Sequence, residues 1–96
     1  MQRITKSQLE NLAALVNRYT GSPEKPYTRE GDTLAKHPGS FYISYANGGV
    51  SLERLCEGGG ATDVLTSGHV TKRELYQRMH AFLKGLEMVQ NGQGTL

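Results

Sequence analysis

Apolar residues recur at helical spacing in two stretches, one near each end of the chain. Leu9, Leu12, Ala13, Val16 and Tyr19 share one face, with Leu15 widening its edge. Leu75, Tyr76, Met79, Phe82, Leu83, Leu86 and Val89 share another. The same start signal precedes each stretch: Ile4-Thr5-Lys6-Ser7-Gln8-Leu9 and Val70-Thr71-Lys72-Arg73-Glu74-Leu75. The Thr oxygen can accept from the backbone N–H three residues on, and Gln8 or Glu74 can reach back to the Thr N–H. The apolar residue before Thr can pack on the Leu beyond. The pattern predicts helices over about Lys6–Tyr19 and Lys72–Gln90. Gly21 and Pro23 stop the first; Asn91-Gly92 stops the second and leaves residues 91–96 as a frayed tail. Gly85 lies inside the second helix, as a close approach of backbone or as simple tolerance.

Between the helices the period changes to two. Phe41, Ile43 and Tyr45 alternate with Tyr42, Ser44 and Ala46, and Asn47-Gly48 is a type I′ turn pair. The register that turn imposes sets Ala46 against Gly49, Tyr45 against Val50 and Ile43 against Leu52. Every large apolar residue then falls on one face, with Ser44, Ser51 and Glu53 on the other. A one-residue slip would destroy that agreement. After Glu53, the residues Leu52, Leu55 and Cys56 suit either a continuing strand or one helical turn capped by Gly58.

Pro23-Glu24-Lys25-Pro26 reads as an extended or turning connector, Tyr27-Thr28-Arg29 as a short edge strand, and Thr62–Thr66 as a third strand centred on Val64. Gly58-Gly59-Gly60 breaks the chain between strands. The expected fold is one α+β domain over residues 1–96, of order α-β-β-β-α. Its two helices pack on one face of a small antiparallel sheet.

Composition narrows the function classes. The 96 residues include 12 glycines, no Trp and a single Cys, and the formal net charge is +2. So small a basic excess does not by itself imply nucleic acid. One cysteine allows no internal disulfide and no Cys-rich zinc site, and no stretch has the length and apolarity of a membrane span. These features predict a cytosolic, soluble protein with no membrane partner, no metal and no cofactor.

Four segments carry a resemblance: Gly21-Ser22-Pro23-Glu24-Lys25-Pro26-Tyr27-Thr28, Tyr45-Ala46-Asn47-Gly48-Gly49-Val50, Glu57-Gly58-Gly59-Gly60 and Thr71-Lys72-Arg73-Glu74-Leu75-Tyr76. In this order they resemble a family of small uncharacterised proteins encoded by tailed bacteriophages and prophages. The resemblance implies a phage setting and a bacterial host cytoplasm, and it carries over no catalytic or binding residue. It departs at Tyr27, where that family often has Trp.

Two surfaces are candidates for binding. Arg73, Gln77, His80 and Lys84 follow at three- or four-residue steps on the polar face of the second helix, with Lys72 in its first turn and Lys36 in the loop before the hairpin. Such a face can meet a phosphate backbone, and the helix start adds N–H groups. The helix–sheet–helix order is similar to the double-stranded-RNA-binding domain, although Thr71-Lys72-Arg73 only loosely matches its lysine cluster. The simpler reading is a solvated face diluted by Glu74 and Glu87. The second surface is the outer sheet face, where Tyr42 can anchor a protein partner, phage or host.

Catalysis has weaker signals. Cys56 with His69 or His80 would make a thiolate–imidazole pair, but no oxyanion-hole motif accompanies it, and Cys56 reads better as a small core residue. The Gly58–Gly60 run lacks the Gly-Lys-Ser/Thr of a P-loop and reads as a turn. His37, His69 and His80 have no metal-site spacing. The expectation is therefore a binding protein and not an enzyme, with a protein partner first and nucleic acid second.

Overall fold

The computed structural model describes residues 3–90. Helix α1 (Lys6–Thr20) opens with the capping box: Gln8 N–H donates to Thr5 Oγ1 at 3.1 Å, and Thr5 N–H donates to Gln8 Oε1 at 2.8 Å. It closes at Gly21 in the left-handed region, φ 70°, where a side chain would be strained. Helix α2 (Lys72–Gln90) opens on Thr71, whose Oγ1 accepts from Glu74 N–H at 3.1 Å. There the Glu74 carboxylate meets Arg78 at 3.0 Å. Ile4, Leu9 and Leu75 are buried and Val70 is half-buried, as the apolar staples require.

Five strands lie between the helices, so the order is α-β-β-β-β-β-α and not the three-strand order expected. Strands β1 (Tyr27–Glu30) and β2 (Thr33–Lys36) form a hairpin of their own; β3 (Phe41–Ala46), β4 (Gly49–Leu55) and β5 (Ala61–Asp63) form a second antiparallel sheet in that spatial order. The fold is α+β. Tyr27–Arg29 is a strand, but its partner is Thr33–Lys36 across Gly31-Asp32. Gly31 has φ 64° while Asp32 keeps negative φ, the pattern of a type II′ turn.

The β3–β4 register is the one the Asn-Gly turn imposes. Ala46 faces Gly49, Tyr45 faces Val50 and Ile43 faces Leu52, with Asn47 at φ 53° and Gly48 at φ 76°. Strand β4 continues to Leu55, which settles the two readings after Glu53 in favour of strand. Strand β5 stops at Asp63, short of the Thr62–Thr66 expected. The Asp63 carboxylate turns the chain away: Ser51 Oγ donates to Oδ1 at 3.0 Å and Gly68 N–H to Oδ2 at 2.9 Å. The chain rejoins the β4 edge at Val70, where Val50 and Val70 exchange two backbone hydrogen bonds of 2.8 Å.

Both helices cover one face of the larger sheet. Leu9, Leu12 and Val16 of α1, Leu75, Met79 and Leu83 of α2, and Phe41, Ile43, Val50 and Leu52 make one buried cluster. Two expectations for apolar residues are corrected. Val89 is 62% exposed, because α2 has run past the sheet by its last turn. Cys56 is exposed and not core, because it follows the last residue of β4 and faces solvent. Gly85 meets nothing within 4 Å, so it marks tolerance and not a close approach. Gly85→Ala should stabilise the protein by about 0.5–1 kcal/mol, read as a rise in the urea midpoint; a fall would mean that α2 has a neighbour at that site.

The expected fray at residues 91–96 lies outside the described residues.

Candidate binding surface

The sequence-predicted basic residues divide into two groups. Lys72, Arg73, Gln77, His80 and Lys84 are exposed along α2. His80 packs edge-on against Tyr76, ring centroids 4.5 Å apart, and with Lys84 borders a cleft between the helices. Arg78, on the same helix, pairs with Glu74 and also donates to Leu65 O at 3.1 Å, tying the 64–70 loop to α2. Lys36 does not join this strip. It ends β2, and its ammonium reaches over Gly59 of the β4–β5 turn.

The sheet face away from the helices carries the polar pairs Tyr42–Glu53 and Ser44–Ser51, with buried Leu55 at its end. Tyr42 is half-buried there, and its hydroxyl donates to Glu53 Oε1 at 3.1 Å. Ser44 Oγ is 3.0 Å from His69 Nε2, so the 64–70 loop closes part of this face. Tyr42 therefore sits within a satisfied network and does not project as an anchor. Its phenol is pushed up to about 12, first by burial, then by the hydrogen bond to Glu53 and that carboxylate's charge, with Tyr27 and Cys56 adding less. Tyr45, on the opposite face, donates to Glu10 Oε2 at 2.8 Å with Lys6 over its ring; its phenol is also pushed up to about 12, by burial first and then by Glu10.

Both shifts favour the neutral phenol in the folded state. Their stabilisation is complete below the usual value of 10.0 and disappears as pH rises from there towards 12. A Tyr42→Phe/Tyr45→Phe variant should lose less stability across that window than the wild type. Parallel loss in both proteins would contradict the assignment.

Sequence reasoning passed over the β1–β2 hairpin as a surface. Tyr27 pairs with Lys36 and Arg29 with Leu34, so these four side chains share one face. On that face Tyr27 is 40% and Leu34 61% exposed, and Arg29 and Lys36 are exposed as well. Thr28 and Ala35, on the other face, are half-buried, and Thr28 Oγ1 lies 2.7 Å from His37 Nε2 at the hairpin's base. The hairpin thus turns its small residues inward and its aromatic, aliphatic and cationic ones outward. The available signal was Gly31-Asp32 between two four-residue runs.

The proposed thiolate–imidazole pair is not assembled. Cys56 Sγ is 3.2 Å from Thr62 Oγ1, while His69 is engaged by Ser44 and His80 by Tyr76. The thiol borders an open cleft of about 580 Å³ with Phe41, Arg54 and Phe82. The Gly58–Gly60 run closes a turn: Gly59 N–H is given to Cys56 O at 3.0 Å and Cys56 N–H to Gly60 O at 2.8 Å. No three His, Cys, Asp or Glu among the described residues are grouped to hold a metal ion. No described helix is long and apolar enough to cross a membrane.

No family model, curated protein or solved structure matches the chain.

Proposed function

We propose that this chain is a small accessory protein of a tailed phage or prophage that works by binding another protein, phage or host, and that the β1–β2 hairpin makes the contact. The phage setting rests on the four motif segments. The observation that carries the contact is the outward face of the hairpin: Tyr27 and Leu34 stand in solvent on a ribbon that does not belong to the main sheet. Side chains of that kind gain most from burial against a partner.

The test is capture from infected-cell lysate by tagged wild type and by Leu34→Asp. Leu34 is exposed, so the substitution should leave unfolding within about 0.5 kcal/mol of wild type. A partner held by the wild type and lost by Leu34→Asp is the expected result. Equal recovery by both proteins would contradict the reading.

The exposed run of Lys72, Arg73, Gln77 and Lys84 favours a second reading, nucleic-acid binding through α2. Its signature is affinity for duplex RNA or DNA that falls steeply with salt and weakens in Arg73→Ala/Lys84→Ala. Absent or salt-insensitive binding would remove it.

A further inference from the structure

The hairpin's backbone and charge specify the chemistry of what it takes. A two-residue turn makes Glu30 and Thr33 the closing hydrogen-bonded pair, and alternation makes Thr28 and Ala35 the next. His37 N–H donates to Pro26 O at 2.8 Å, which continues the same alternation. Tyr27, Arg29, Leu34 and Lys36 therefore aim their N–H and C=O groups outward from the ribbon's two edges. Among the described residues neither edge has a strand partner. A two-stranded ribbon is marginal alone, and a third strand is what usually completes it.

The charge on the exposed face is basic. Arg29 and Lys36 stand there with Tyr27 and Leu34 between them, Lys36 reaching over Gly59; Glu30 points to the other face and Asp32 sits in the turn. Among the described residues neither cation has an ion pair.

We infer that the hairpin takes an extended acidic segment of a partner protein, added as a third strand along β2 beside Leu34 and Lys36. Main-chain hydrogen bonds to the outward groups of Leu34 and Lys36 set the register. Side chains at alternate positions of the added strand lie over the exposed face. An apolar–x–acidic pattern fits: the apolar side chain packs on Leu34 and the carboxylate meets Lys36, while Arg29, across the ribbon from Leu34 on the same face, adds its charge. The inference rests on the protein-binding reading above and adds the partner's charge and conformation.

The test is an NMR titration of the full chain with a synthetic peptide alternating Glu, Thr and Leu in that pattern. Parallel titrations use the same peptide with Lys in place of Glu, and oligothymidylate. The expected result is amide shifts confined to residues 27–36, caused by the acidic peptide alone. Affinity should weaken by about tenfold in Arg29→Glu/Lys36→Glu, the scale of these two exposed charge interactions. Shifts elsewhere, no shifts, or equal affinity for that variant would overturn the inference. So would stronger binding of oligothymidylate at the same residues, which would assign the face to a nucleic acid. If Arg29→Glu/Lys36→Glu still captures the lysate partner that Leu34→Asp loses, the protein-binding reading stands and the acidic chemistry falls.

Discussion

Replacing Asn17 with Leu should lower the stability of this protein by about 2–4 kcal/mol, although Leu suits the apolar stripe of α1 better than Asn does. Asn17 is 2% exposed. Its Oδ1 accepts from Phe41 N–H at 2.8 Å, and its Nδ2 donates to Phe41 O at 2.9 Å and to Glu24 O at 3.3 Å. One carboxamide thus stands in for a neighbouring strand at the open edge of β3 and also holds the connector after α1. Leu would leave the Phe41 N–H and C=O facing apolar surroundings without partners, and an unpaired buried group costs about 1–3 kcal/mol. For a domain of this size, a loss of that scale should lower Tm by roughly 10 °C or more. Urea unfolding of Asn17→Leu measures it. A loss below about 1 kcal/mol would show that water reaches Phe41 and that the clamp is dispensable.

Gly49→Ala should cost about 1–3 kcal/mol, even though Ala is a better strand residue than Gly. A Cβ built at Gly49 lies 3.0 Å from Val70 O, 3.2 Å from His69 Cβ and 3.3 Å from His69 C. Two of these neighbours are backbone, and Val70 O is already accepting from Val50 N–H at 2.8 Å. Relief would require moving the segment that ties α2 to the β4 edge. The same shift would strain the Ser44–His69 contact, so a change in the His69 ring resonances should accompany the lost stability. Wild-type stability with an unmoved His69 would mean that the 69–70 segment is loose enough to give way.

The contrast between these sites explains what was legible in the chain. The helices and the β3–β4 register were readable because each is local: a capping box spans four residues, and an Asn-Gly turn fixes every cross-strand pair that follows. Asn17 was not readable. It looks like a polar interruption of α1, and its role depends on Phe41, 24 residues away. Strand β2 was missed because its one large apolar residue, Leu34, faces solvent, so no core-facing alternation marks it. Val64 suggested a longer β5, and its N–H does reach Leu52 O at 3.0 Å, but the chain leaves the sheet directly after it, where the Asp63 carboxylate holds Ser51 and Gly68. Cys56 looked like core by residue type; its position just beyond β4 decided otherwise. Of the hairpin face, only Lys36 stands out in the sequence, as a basic residue near the hairpin; Tyr27, Arg29 and Leu34 join it only through the β1–β2 pairing, while Tyr42 lies apart on the main sheet.

The molecule divides into a packed body of α1, α2 and the β3–β5 sheet and a separate ribbon, residues 27–36, that carries the proposed contact face. Native-state amide exchange addresses this division directly. The β3, β4 and α2 amides should exchange together and slowest, while those of residues 27–36 exchange far faster in the free protein and slow when the acidic peptide is added. Ribbon amides that exchange as slowly as the core in the free protein would contradict the account, because the hairpin would then be part of the folded body.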